Sequence, residues 1–152
     1  MRHPQLVVLE ADGWVGRQLG ELTAEHRWVV RNPRTPAAAL AFARDARPTV
    51  LVVRVEPGDE TPEPFALVAD AHRVRPDVPV VAVSDVKLPD ADRAAWAALL
   101  LDLGARYVLF PPLTKSVLED VVSGLMAGAV RRHGGGEVRP DVLDSADDEV
   151  PD

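Results

Sequence analysis

The chain has 152 residues, 47% of them hydrophobic, with a formal charge of -7 and no cysteine. That is enough apolar material for one domain with a sizeable core, and too much for a disordered chain. The lack of cysteine excludes a disulfide scaffold, a thiolate metal site and a cysteine nucleophile.

The charge is unevenly spread. Residues 133–152 carry seven acids against Arg139, a net -6, which leaves -1 for residues 1–132. A body so near neutrality offers no basic stripe to nucleic acid. Arg131 and Arg132 read as a cationic helix end, favourable to the helix dipole. No run approaches the roughly 20 apolar residues that cross a bilayer. The first apolar run meets Glu10 too soon to be a signal peptide. The sequence therefore reads as soluble and cytoplasmic, with neither nucleic acid nor a membrane as partner. Only Lys87 and Lys115 are lysines, so few amines exist for catalysis.

"QLVVLE" (Gln5 to Glu10) reads as a first buried strand. "GWVGRQLGELTAE" follows with near-helical apolar spacing, although Gly16 and Gly20 weaken its middle. "RWVVR" is a second short strand. Thr35 and Pro36 then mark a helix start, as cap and first-turn proline. "PTVLVVRV" is a third strand, a continuous apolar run up to Arg54 of the kind covered on both faces. "PEPFALVADAHRVR" is a helix stopped at Pro76, and "VPVVAVS" a fourth strand. "DADRAAWAALLLDLG" is a helix ending at Gly104. "RYVLF" is a fifth strand, and "TKSVLEDVVSGLMAGAVRR" a last helix capped by Thr114. Strands alternating with helices predict a three-layer (βα)5 α/β fold of flavodoxin-like type around a parallel five-stranded sheet. The predicted domain covers residues 1–132. Residues 133–152, rich in glycine and acids, read as a disordered tail.

Ligands of open parallel sheets sit beyond the carboxyl ends of the strands. Those ends hold Glu10, Ala11 and Asp12, then Arg54, Val55 and Glu56, then Ser84 and Asp85, then Phe110, Pro111 and Pro112. The phrases "ARPTVLVV", "RPDVPVVAVS" and "LDLGARYVLFPPLTKSVLEDVV" resemble the receiver domain of response regulators, the fold of the chemotaxis regulator. The resemblance covers roughly residues 5–130 and implies strand order 2-1-3-4-5.

The chemistry implied by that resemblance does not carry over, which makes the chain look like a degenerate pseudo-receiver. A working receiver has an acidic pair after strand one, and Glu10 and Asp12 keep this in part. Its phosphoacceptor aspartate ends strand three, where Arg54 stands. Its hydroxyl after strand four is matched by Ser84. Its lysine before a proline is replaced by Pro111. Val108 or a neighbour falls at its aromatic switch position.

Arg54 brings a permanent cation to the crevice, and three fates are open to it. It pairs with Glu10 and Asp12, with Asp59 and Asp85 as competitors; it snorkels to water; or it holds an anion in its planar donor fork. Other motifs carry little. One G-x-x-G spacing at Gly13 to Gly16 is not a dinucleotide fingerprint. The four histidines are scattered, and Ser84 has no evident base. No catalytic group, metal or cofactor is expected.

Function then falls to the surfaces. The resemblance implies that the fourth helix, fifth strand and fifth helix form a contact face. "AAWAALLLDL" is apolar nearly all round, which asks for burial on more than one side. Trp96, Leu99, Leu100, Tyr107, Val121 and Leu125 are the candidate interface residues for a homodimer or a protein effector. The sequence thus points to a non-catalytic signalling or scaffolding module. An anion sensor at Arg54 and an atypically phosphorylated receiver are the alternatives.

Overall fold

Parallel pairing organises the chain from its first strand. In the computed structural model, which describes residues 2–56 and 63–137, five strands form one sheet in the order β2-β1-β3-β4-β5. They are β1 (Gln5–Leu9), β2 (Val29–Arg31), β3 (Thr49–Arg54), β4 (Val80–Val83) and β5 (Tyr107–Leu109). Every pairing is parallel, as the alternation of apolar runs with helical stretches predicts. The (βα)5 architecture and the strand order both stand.

Among the described residues, six helices cover the two faces. They are α1 (Trp14–Gln18), α2 (Gly20–His26), α3 (Pro36–Ala43), α4 (Glu63–Val74), α5 (Asp90–Leu103) and α6 (Lys115–Glu137). Side chains alternate across each strand, so the core divides in two. Val7, Leu51, Val53, Val80 and Ala82 face Leu67, Val68 and Leu100 of α4 and α5. Leu6, Val8, Val50, Val52, Val81 and Val83 face Val15, Leu19, Leu118, Val122 and Met126. The apolar centre of β3, Val50 to Val53, is buried on both faces, as are β1 and β4.

The expected caps are in place. Thr35 Oγ1 accepts from the Ala38 N–H at 3.1 Å, with Pro36 in the first turn. Thr114 Oγ1 accepts from Val117 at 3.1 Å. Gly104 ends α5 in the left-handed region, φ 119°.

Two elements differ from the sequence reading. The first helix is broken at Leu19, whose φ of -95° and ψ of 5° interrupt the α geometry. Leu19 is fully buried, and Gly16 and Gly20 on either side of it give the helix little resistance to the bend. The last helix continues through the glycine triplet to Glu137, past the expected boundary at Arg132. Glycine costs a helix only about 1 kcal/mol each, so a helix already packed along Leu118, Val122 and Met126 carries on. Residues 138–152, most of the acidic tail, and Asp59 lie outside the described residues.

Candidate functional site at the strand ends

Register brings the candidate residues together. Leu9 pairs with Val53 and Arg54 with Val83, so Glu10, Arg54 and Ser84 emerge side by side where the strands stop. Residues two apart on an extended chain point the same way. Arg54 therefore shares its side of the sheet with Val52, on the α1 and α6 face.

The Arg54 guanidinium is enclosed by four carboxylates. Its Nε donates to Glu56 Oε2 at 2.8 Å, and its Nη2 to Asp85 Oδ2 at 2.5 Å. Its Nη1 is shared between Asp12 Oδ1 at 3.2 Å and Glu10 Oε1 at 3.4 Å. The Arg54 side chain is 12% exposed and that of Glu10 only 2%. Of the three fates open to Arg54, the structure has the pairing with Glu10 and Asp12, and Asp85 joins it. Glu56 is the partner that the sequence reading missed, although its i+2 spacing from Arg54 was the available signal.

The carboxylates are themselves committed. Glu10 Oε1 and Oε2 accept from the Val15 and Gly16 amides, each at 2.9 Å. Asp12 Oδ1 accepts from the Trp14 amide at 3.0 Å. Ser84 Oγ, almost fully buried, lies 3.4 Å from Glu56 Oε1 and accepts from the Val86 amide at 3.2 Å. Ser84 thus plays a turn role.

The environment moves the acids in opposite directions. Asp12 is held below the ordinary carboxylate range, first by the Trp14 amide, against some burial, and then by Arg54. Glu56 is pushed up, first by burial and then by the hydrogen bond and charge of Asp85, against Arg54. Arg54 loses to burial but gains more from Asp85, Asp12 and Glu56, so its net direction is up.

Two open clefts of about 310 Å³ flank the guanidinium. One is lined by Asp12, Trp14, Arg54, Asp85, Pro111 and Leu113. Pro111, joined to Pro112 by a cis peptide bond, therefore shares a wall with Arg54. Receiver-like folds imply a divalent cation near this point, and the donor set does not fit one. Both Glu10 oxygens hold backbone amides, and the remaining acids face a fixed positive charge. Among the described residues, no three acidic or histidine side chains are grouped to hold a metal ion.

The candidate contact residues divide. Leu99 and Tyr107 are 47% and 46% exposed. Val121 and Leu125 are half-buried and line an open groove of about 430 Å³ with Tyr107, Asp120 and Gly124. Leu100 is a correction. It is 2% exposed and packs in the α4–α5 core, because it lies on the sheet-facing side of α5. Trp96 is half-buried and stacked on Phe65, ring centroids 5.0 Å apart, so much of its surface is covered within the chain. Exposed Leu101 and Val117 extend the apolar surface and were not singled out from sequence. No described helix is long and apolar enough to cross a membrane.

No protein-family model matches the sequence, and no curated protein matches it. Solved structures do match. A CheY-like response regulator receiver domain protein from Methanospirillum hungatei superposes with a TM-score of 0.63 at 13% identity, over 86% of this chain and 99% of that one. The receiver domain of NtrX from Brucella abortus gives 0.63 at 19% identity, over 80% and 98%. Longer NtrX, in complex with ADP, gives 0.66 at 19% identity; 96% of this chain is covered but only 31% of that one. At such identities the likeness shows the fold, which is that of a response-regulator receiver domain.

Proposed function

We propose that this chain is a receiver-fold signalling module that acts through protein contacts and takes no phosphoryl group at the end of β3. The observation that carries this reading is the Arg54 guanidinium held by four carboxylates. Phosphoryl transfer to a protein carboxylate needs a nucleophilic oxygen, a cation and a positive group that neutralises developing charge. Arg54 offers no nucleophile where the resemblance puts the acceptor. Pro111 offers no ammonium where it puts the lysine. No other catalytic role is assigned to these residues.

An anion-sensing role is less well supported. Each guanidinium nitrogen already donates to a carboxylate, and an incoming anion would face four negative groups. The contact surface is instead the face of α5, β5 and α6. On these elements Leu99, Leu101, Tyr107 and Val117 are exposed, and Tyr107 lines the groove with Val121 and Leu125. A second copy or a protein effector would cover it.

Incubation with a small acyl-phosphate donor and magnesium, followed by intact mass, tests the phosphoryl claim. Neither the wild type nor Arg54→Asp is expected to gain a phosphoryl mass. A stable adduct on the wild type would refute the reading. For the contact face, sedimentation is expected to show a concentration-dependent dimer. A monomer persisting at high micromolar protein would leave an effector as the partner class.

A further inference from the structure

We propose that Arg54 is a tethered cation whose task is to hold the ends of β1, β3 and β4 in one arrangement without any diffusible ion. The geometry is that of a clasp. One side chain reaches Glu10 and Asp12 after β1, Glu56 after β3 and Asp85 after β4. The acids it grips fix backbone in turn. Glu10 holds the Val15 and Gly16 amides, and Asp12 holds the Trp14 amide. Glu56 contacts Ser84, which holds the Val86 amide.

Removing the guanidinium would leave four carboxylates around the strand ends without their shared cation, repelling one another in a partly desolvated site. Arg17 does not replace it, because its Nη1 binds the Asp12 carbonyl rather than the carboxylate. Lysine would not replace it either. One ammonium is a point charge on a flexible stem and cannot span four acceptors in a planar fork. Such a clasp makes the strand-end loops indifferent to cation supply. The inference rests on the residue that carries the functional reading, yet the two fail separately. A phosphorylated wild type would overturn the function and leave loop protection untouched.

Hydrogen exchange by mass spectrometry on the full chain tests the clasp. In Arg54→Ala, peptides covering Asp12–Arg17 and Ser84–Lys87 are expected to exchange at least about tenfold faster, the scale of one charged hydrogen bond. Peptides from the centre of β3 should change much less. Low millimolar guanidinium ion should restore protection in Arg54→Ala. It should not restore Arg54→Met, where an apolar side chain fills the space. If Arg54→Ala folds poorly, Arg54→Met and Arg54→Lys carry the comparison, with the lysine variant intermediate. Unchanged protection in the variants would overturn the clasp, as would failure of guanidinium to restore Arg54→Ala.

Discussion

Glu10 and Arg54 meet where β1 and β3 end, with Nη1 3.4 Å from Oε1, and the same carboxylate holds the Val15 and Gly16 amides at 2.9 Å. A buried acid with three donors is a structural acid. Glu10→Ala would strand two amides and part of a guanidinium. We expect a loss of about 3 kcal/mol by urea denaturation, the scale for removing one partner of a buried pair. Glu10→Gln, which keeps an acceptor, should lose less. Equal stability of Glu10→Ala and wild type would contradict this account.

Gly104 sits against His72. A Cβ built on the glycine would lie 2.5 Å from His72 Cβ, and the φ of 119° disfavours any side chain. The obstacle is fixed to the α4 backbone and cannot swing aside. Gly104→Ala should cost about 2–4 kcal/mol, combining backbone strain with overpacking. Thermal unfolding reads this directly, and a loss within the ordinary surface range of about 0.5 kcal/mol would count against the clash.

The pH dependence has two signs. Glu56 is raised by burial and Asp85, so the folded state binds its proton more tightly than the unfolded chain. Its contribution is fully present below the unfolded pKa and is lost as pH rises through the folded one. Glu56→Gln mimics the protonated group, so its stability relative to wild type should increase across that rise. Asp77 is lowered, first by its bond to Arg75. Its contribution is present above the unfolded pKa and is lost as pH falls through the folded one. The cost of Asp77→Asn should therefore disappear in acid. Denaturation curves over a pH series, showing flat differences for both variants, would contradict these assignments.

Adjacent leucines on α5 separate contact from core. Leu101 is 49% exposed and Leu100 is 2%. Leu101→Glu should abolish self-association in sedimentation with little change in Tm. Leu100→Ala should cost about 2–5 kcal/mol through a cavity. A dimer that survives Leu101→Glu together with Tyr107→Glu would place the contact on another face.

Particular residues show where the sequence was legible. Thr35 and Pro36 announced α3, Gly104 announced the end of α5, and the apolar run before Arg54 announced a doubly covered strand, because these signals act within one turn or one strand. The break at Leu19 was less legible, since it depends on that side chain reaching a core built by α6. Leu100 was misplaced for a related reason. In an almost uniformly apolar helix, composition does not say which leucine faces the sheet.

By itself, the sequence determined the class of fold and put a guanidinium, not a carboxylate, at the end of β3. Local propensity and apolar period are properties of contiguous residues, so they are readable in order. Only the tertiary structure decided that Glu10, Asp12 and Asp85 join the chain neighbour Glu56 around Arg54, because parallel register across β1, β3 and β4 brings together groups far apart in the chain. Pairing over such separations depends on how the strands align, and no local spacing encodes that.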